Sequence, residues 1–201
     1  MILGYNLCII AYCGSCCKMF VLNKFIVKYK IRKANKKDAK NIAKVHIQSW
    51  RESYNGIVDD QYLKKLSLVT RTKKWQVKLQ TSEKNVDIFV AEDTSYEIVG
   101  FITGGISRDK LLKYKGELYA IYILKQAQKN KLGYRLVKKL CVALKKQGIK
   151  SMFVRVLKDN TSKNFYIKYR AKLFKTTKLK IGERKLVEEY YGWPNFKKFG
   201  I

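Results

Sequence analysis

A short basic loop between two apolar segments carries residues that can bind phosphate. Gln128 begins the loop and Gly133 ends it, with Lys129 and Lys131 between them. The residues that follow have helical spacing, and the start of a helix leaves free backbone N–H groups at the positive end of its dipole. Anions bind at such helix starts, and the two lysines add positive charge at the same place. The loop therefore predicts a site for a diphosphate group.

The elements that position this loop are a strand before it and an amphipathic helix after it. Residues 117–123 read ELYAIYI, and this run of aromatic and β-branched residues is typical of a buried strand. After Leu132 the period changes to that of a helix, with basic residues on the opposite face. The residues on its apolar face are Leu136, Val137, Leu140, Cys141 and Leu144.

This strand, loop and helix together resemble the acetyl-CoA-binding segment of the GNAT family of N-acetyltransferases. In that family a Gln/Arg-x-x-Gly-x-Gly/Ala loop joins the fourth strand to the third helix. Gln128 and Gly133 match the ends of the pattern, whereas Lys131 stands where the inner glycine is expected. A lysine there needs a permissive backbone angle or a slightly different loop. The resemblance implies acetyl-CoA as co-substrate, with its pyrophosphate held by the loop amides.

The resemblance also implies contacts on both sides of the loop. In the family the central strand splays from its neighbour, and its exposed backbone pairs with the pantetheine arm of CoA. That backbone corresponds here to Ile121, Tyr122 and Ile123. Asn160 matches the asparagine of the family's Asn-x-x-Ala-x-x-Phe-Tyr segment. The residues expected at the pyrophosphate are Gln128, Lys129, Asn130, Lys131, Leu132, Gly133 and Tyr134.

Acetyl transfer to an amine needs a polarised thioester carbonyl, a neutral amine and a proton for the leaving thiolate. An amide within residues 121–123 would polarise the carbonyl. Tyr166 matches the family's tyrosine near the sulfur, and a pKa of about 10 suits protonation of a thiolate. Glu117 lies where some members place a carboxylate. We therefore expect Tyr166 as general acid and Glu117 as general base, with a core tyrosine and a surface glutamate as the alternatives.

The first helical region is expected to form one wall of the acceptor pocket. The resemblance points to Trp50, Tyr54 and Ile57 as lining residues, although aromatic residues here would serve a core equally well. His46, the single histidine, falls on the apolar side of this helix, so a packed or pocket-lining role is favoured over a catalytic one. One histidine permits no Ser/His/Asp triad, and no metal site is predicted.

The resemblance runs in order from Tyr29 to Trp193, which favours a single domain over residues 29–197. The expected fold is α/β, with a mixed, mostly antiparallel sheet flanked by helices. Lys163 and Arg170 stand where the family has a small residue and a glycine. These departures, with Lys131, leave open a catalytically weak CoA-binding protein that acts as a sensor or interaction module.

The formal net charge of +29, from 44 Lys+Arg against 15 Asp+Glu, favours acidic partners. Nucleic acid is one such partner, but the lysines are scattered over nearly every segment and no stacking motif accompanies them. We rank a lysine-biased composition above nucleic-acid binding. The expected acceptor is an amine of a small molecule or a protein, and the sequence is compatible with a monomer or a homodimer.

We expect residues 1–28 to lie outside the domain, because residues 1–19 differ in composition from the rest of the chain, with a weak membrane contact of this segment as an alternative. This segment contains four of the five cysteines of the chain: Cys8, Cys13, Cys16 and Cys17. A start at Met19 would explain the same difference. The apolar run is interrupted and shorter than the ~20 residues of a membrane span, and its first charge, Lys18, follows the run, the reverse of a secretory signal. With no disulfide framework through the domain, a reducing cytoplasm is predicted.

Overall fold

The described part of the chain forms one seven-stranded sheet with helices on both faces. The computed structural model describes residues 29–81 and 85–201, so the expected amino-terminal extension lies outside the described residues. The strands are β1 (Lys30–Lys33), β2 (Val86–Glu92), β3 (Ile98–Ile106), β4 (Gly116–Ile123), β5 (Met152–Leu157), β6 (Lys172–Ile181) and β7 (Arg184–Trp193). The helices are α1 (Ala39–Tyr54), α2 (Asp60–Lys64), α3 (Leu68–Gln80), α4 (Leu132–Lys146) and α5 (Lys163–Lys168).

The strands lie in the order β1-β2-β3-β4-β5-β7-β6. Every neighbouring pair is antiparallel except β4 and β5, which are parallel and are joined through α4. A parallel connection needs a crossover of this kind. By contrast, the antiparallel pairs β2–β3 and β6–β7 are each joined by a short turn. The expected mixed, mostly antiparallel sheet flanked by helices is therefore confirmed.

Two apolar layers cover the sheet. On one face α4 buries Leu136, Leu140 and Leu144 completely against the sheet. On the other face α1 and α3 pack over β2 and β3 through Ile42 and Trp75. Helix α4 thus fixes the end of β4 on one side of the sheet while α1 covers it on the other.

Local signals set the limits of the first helices. Asn35 and Asp38 form a capping box. The Asn35 side chain accepts the Lys37 N–H, and the Asp38 carboxylate accepts the Asn35 N–H. Helix α3 begins at Leu68, where the Ser67 hydroxyl accepts the Thr70 N–H. None of the helices in the described part of the chain is long and apolar enough to cross a membrane.

The carboxyl-terminal residues belong to the packed core beside α4. Phe196 is 3% exposed and Phe199 is fully buried, and both contact the apolar layer that contains Trp193. The packed fold therefore continues past the expected boundary at residue 197, because removing Phe199 would uncover the rings of Tyr134 and Tyr169.

Candidate active site

The central feature of the sheet is a gap between β4 and β5. The two strands pair only from Gly116 to Leu118 on β4, and the last pair joins Leu118 to Val154. Beyond that point β4 continues beside β3 while β5 continues beside β7. A cavity of about 400 Å³ occupies the gap. Its lining includes residues of α1 on one face of the sheet and of α4 and α5 on the other, so the gap passes through the sheet.

The backbone of β4 presents hydrogen-bonding groups to this gap. Leu124, just past β4, donates its N–H to the Val99 carbonyl of β3 at 2.9 Å. Because backbone groups alternate in direction along an antiparallel strand, those of Ile121 and Ile123 point away from β3 and toward the cavity. Tyr122, between them, also lines it. An extended molecule that carries amide groups can pair with this exposed edge.

The loop after β4 supplies an anion site at one end of the cavity. Lys129 and Lys131 are exposed and adopt left-handed backbone angles, with φ of 65° and 57°. The first hydrogen bond within α4 runs from the Arg135 N–H to the Lys131 carbonyl at 3.1 Å. The amides of residues 132–134 precede that bond and have no acceptor in the helix. Three amides and two cations at one helix start fit a diphosphate.

Gly133 permits the close approach of α4 and α5 at this end. A Cβ at this position would lie 3.2 Å from the Phe165 ring on α5, closer than ordinary side-chain contacts. Leu132, which is 1% exposed, anchors the same turn in the core. Asn130 does not line the cavity, and its side chain instead donates to the Gln128 carbonyl at 3.2 Å. Gly133 is therefore favoured because a side chain at this position would crowd the Phe165 ring.

Tyr166 lies on α5 and lines the same cavity. Asn160, which is buried, accepts the Ser162 N–H at 2.8 Å and so fixes the turn that leads into α5. The Tyr166 ring meets Trp193 edge to face, with centroids 5.9 Å apart. Burial raises the pKa of Tyr166, and nearby Tyr54 raises it further. The hydroxyl therefore keeps its proton at neutral pH, as a proton donor must.

Only one of the three expected acceptor-wall residues reaches the cavity. Tyr54 lines it from α1, and the pKa of Tyr54 is raised by burial. Trp50 donates its Nε1–H to the Tyr122 hydroxyl at 2.8 Å, behind the lining. Ile57 packs in the apolar cluster around Val58, which also includes Trp50 and Tyr54, and does not line the cavity. Trp50 and Ile57 therefore support the wall without forming its inner surface.

His46 is packed within the aromatic core between α1 and β4. Its ring stacks on Tyr122 with centroids 5.0 Å apart, and its Nδ1 accepts the Trp75 Nε1–H at 3.3 Å. Burial lowers the pKa of His46 to about 3, with help from the charges of Arg71 and Lys78. The ring is neutral at physiological pH and makes the hydrogen bond of a core residue.

Glu117 is buried at the base of β4 and is held by two arginines. Its carboxylate accepts both the backbone N–H and the guanidinium of Arg108, and it also accepts Arg155 Nη2 at 2.7 Å. Burial acts to raise the pKa of Glu117, but these hydrogen bonds outweigh it and hold the pKa below its usual value. The carboxylate does not line the cavity. This geometry does not favour the expected general base.

The cavity also has lining residues that the sequence interpretation missed. Arg155 lines it from β5, and the signal in the sequence was a charged residue between Val154 and Val156 in an otherwise buried strand. Ser49 and Ser53, four residues apart on α1, line the opposite side, and the buried Ser49 hydroxyl has no hydrogen-bond partner among the described residues. The expected residues that do line the cavity are Tyr54, Ile121, Tyr122, Ile123, Gln128, Lys129, Lys131, Leu132, Gly133, Tyr134, Asn160 and Tyr166.

The two other departures from the resembled pattern leave the cavity open. Arg170 follows α5 with a φ of 64°, the left-handed angle that a glycine would adopt easily, and its side chain is exposed. Lys163 reaches the Glu189 carboxylate at 3.5 Å and does not line the cavity. Neither of these larger side chains lines the cavity.

A mostly antiparallel sheet that splits at its one parallel pair of strands, beside an anion-binding helix start, is the architecture of N-acetyltransferases. A model of the acetyltransferase (GNAT) family matches residues 47–169. An uncharacterized N-acetyltransferase of Bacillus subtilis (strain 168), YuaI, is 36% identical over 82% of this chain and 92% of its own length. The chain therefore belongs to the acetyltransferase (GNAT) family.

More distant comparisons agree with this fold. The spermidine N(1)-acetyltransferase of Thermoplasma acidophilum is 27% identical over 69% of this chain and 84% of its own length. The crystal structure of the PaiA N-acetyltransferase from the same organism, in complex with coenzyme A, superimposes with a TM-score of 0.65. That likeness covers 81% of this chain and 98% of the other at 22% identity, and so bears on the fold alone.

Proposed function

We propose that this protein transfers an acetyl group from acetyl-CoA to a primary amine of a small molecule or a protein. The observation that carries the proposal is the cavity between β4 and β5, with strand backbone along one side and the α4 helix start at one end. A cofactor with a diphosphate at one end and an amide-bearing arm at the other matches both features.

The proposed binding mode uses the two ends of the cavity differently. The amides of residues 132–134, with Lys129 and Lys131, hold the pyrophosphate, while the backbone of Ile121 and Ile123 pairs with the pantetheine arm. Gln128 keeps the loop against β4 through its bond to the Ile123 carbonyl at 2.9 Å. This arrangement brings the thioester to the part of the gap that Tyr166 lines.

In the proposed reaction the amine nitrogen bonds to the acetyl carbon as the carbon–sulfur bond breaks. A backbone amide of β4 stabilises the negative charge that develops on the carbonyl oxygen. The acceptor ammonium first loses a proton to solvent, and the neutral amine then attacks. Tyr166 donates its hydroxyl proton to the leaving sulfur, and the one proton that the amine loses on acylation returns through solvent to the tyrosinate. Glu117 positions Arg155 at the edge of the gap. Its hydrogen bonds to Arg108 and Arg155 support this positioning role over proton abstraction.

The test is acetyl-CoA turnover with a panel of amines. Release of CoA thiol and the mass of the acetylated product are followed with an alkylamine, a diamine, spermidine, an amino acid and a lysine-containing peptide. Spermidine is included because the Thermoplasma relative is named for it. The proposal predicts amine-dependent thiol release with at least one of them. Tight acetyl-CoA binding without turnover of any amine would favour the sensor instead.

A further inference from the structure

Glu188 lies in the middle of β7, on the face of the sheet that carries the acceptor wall. Its cross-strand partners are Leu157 on β5 and Thr177 on β6. Directly paired residues of neighbouring strands project their side chains from the same face of a sheet. Leu157 is 5% exposed and packs in the cluster that contains Trp50 and Tyr54. The Glu188 side chain therefore projects toward the same helical wall.

Among the described residues, no side chain is paired with the carboxylate of Glu188. Within residues 29–81 and 85–201, it makes no hydrogen bond and has no cation within ion-pair distance. The other two carboxylates of this part of the sheet are occupied. Glu117 is bound by two arginines, and Glu189, on the opposite face, accepts the Tyr191 hydroxyl at 2.9 Å.

Glu188 also acts electrostatically on two residues that line the cavity. After the larger effect of burial, its charge contributes to the raised pKa of Tyr54. Its charge likewise acts on Arg155, whose Nε and Nη2 are both directed to Glu117. The half-buried carboxylate does not line the cavity itself, but its charge acts on Tyr54 and Arg155, which do, and Arg155 is held by Glu117.

The chemistry of an acceptor amine requires a feature of this kind. Alkylamines are cations at neutral pH, and a chain with a net charge of +29 repels them from a distance. A carboxylate beside aromatic rings attracts an ammonium group by charge and by cation–π contact. The rings of Tyr54 and Tyr62 lie 4.7 Å and 5.8 Å from that of Trp50, so the wall offers such faces.

We propose that Glu188 binds the ammonium group of the acceptor and so restricts the acceptor to protonated alkylamines. The inference rests on the proposed function, because the ammonium is held at the acceptor end of an acetyl-CoA site. Glu188 acts here as a specificity-determining residue. No proton or bond is transferred in this step, and the amine loses its proton afterwards.

The test uses CoA thioethers, which need no knowledge of the natural acceptor. S-(2-aminoethyl)-CoA and S-(4-aminobutyl)-CoA carry an ammonium beyond the sulfur, and S-propyl-CoA and S-pentyl-CoA are their uncharged counterparts of matched length. Affinities are measured by titration calorimetry. Wild-type protein should bind at least one amino compound about tenfold more tightly than its counterpart, as one charge-assisted hydrogen bond would give.

The variants localise that preference. Glu188→Gln should remove it and leave the affinity for the uncharged thioethers unchanged, while Glu188→Asp should retain part of it. The control is Glu183→Gln, which changes an exposed carboxylate paired with Lys180 at the β6–β7 turn and should keep the full preference. Equal binding of charged and uncharged thioethers by wild type, or an unchanged preference in Glu188→Gln, would overturn this inference alone. Failure of every thioether to bind would overturn the proposed function as well.

Discussion

The side-chain amide of Gln128 donates to the carbonyl of Ile123 at 2.9 Å. This bond joins the anion-binding loop to the last residue of β4 and occupies a carbonyl that would otherwise face the gap. The loop therefore has a fixed position relative to the strand edge. The left-handed angles of Lys129 and Lys131 follow from this position, because the chain must turn back within three residues to begin α4.

The first prediction concerns Lys131, which has a left-handed backbone angle and a charge at the helix start. Lys131→Gly should relieve the strained angle and raise the melting temperature by roughly 2 °C, but should weaken CoA binding about threefold to tenfold at low salt. The salt dependence of CoA affinity should also become less steep. Arg170→Gly, at a φ of 64° away from the loop, is the control and should raise stability without affecting CoA. Tighter CoA binding by Lys131→Gly would show that the lysine impairs the loop.

The second prediction concerns the hydroxyl of Tyr166. Tyr166→Phe keeps the ring against Trp193 and removes the proton donor, so kcat should fall by roughly 100- to 10,000-fold while acetyl-CoA affinity changes little. Steady-state kinetics at saturating acetyl-CoA and a melting curve on the same protein separate the two possible roles. Turnover within about threefold of wild type, with a loss of about 1 kcal/mol in stability, would make Tyr166 a core residue.

The third prediction concerns Glu117 and separates positioning from proton abstraction. Glu117→Gln leaves the guanidinium groups of Arg108 and Arg155 without a counter-charge, so the free energy of unfolding should fall by roughly 2 kcal/mol. This is less than for a fully buried pair, because both arginines reach solvent. Denaturant unfolding measures the change. Unchanged stability together with a loss of kcat and of its acidic pH limb would instead identify Glu117 as the base.

The fourth prediction concerns the effect of pH on stability through His46. Its pKa is about 3 in the folded protein because of burial, against about 6.5 in the unfolded chain, so the unfolded chain binds more protons between these values. Stability that is fully present above pH 6.5 should therefore be lost as the pH falls toward 3. His46→Gln keeps an acceptor for Trp75 and removes this titration. Relative to the variant, wild type should lose about 3 kcal/mol between pH 7.5 and 4.5, and parallel pH profiles of the two proteins would contradict the assignment.

The sequence predicted the elements well because their signals are local. The strand at residues 117–123 and the apolar face of α4 each depend on residues within a few positions of one another. For Lys131 the sequence left two possibilities, a permissive backbone angle or a slightly different loop. The structure has that angle, with a φ of 57°.

The surroundings of the site could not be predicted in the same way. The arginines that bind Glu117 come from positions nine and 38 residues away, so their charges could not be assigned to it from local spacing. Likewise, the aromatic residues of α1 gave no indication of which ring would face the cavity. Tyr54 does, while Trp50 is turned toward the Tyr122 hydroxyl by a hydrogen bond across 72 residues.

We propose that acetyl-CoA binds in the gap between β4 and β5. Hydrogen exchange of the wild-type protein, measured by mass spectrometry with and without acetyl-CoA, tests it without any acceptor. We expect slower exchange of the amides in residues 121–123 and 132–134 when acetyl-CoA is bound, with little change in β2 and β3, whose ladders are already formed. Saturating acetyl-CoA that leaves exchange in both segments unchanged would contradict it.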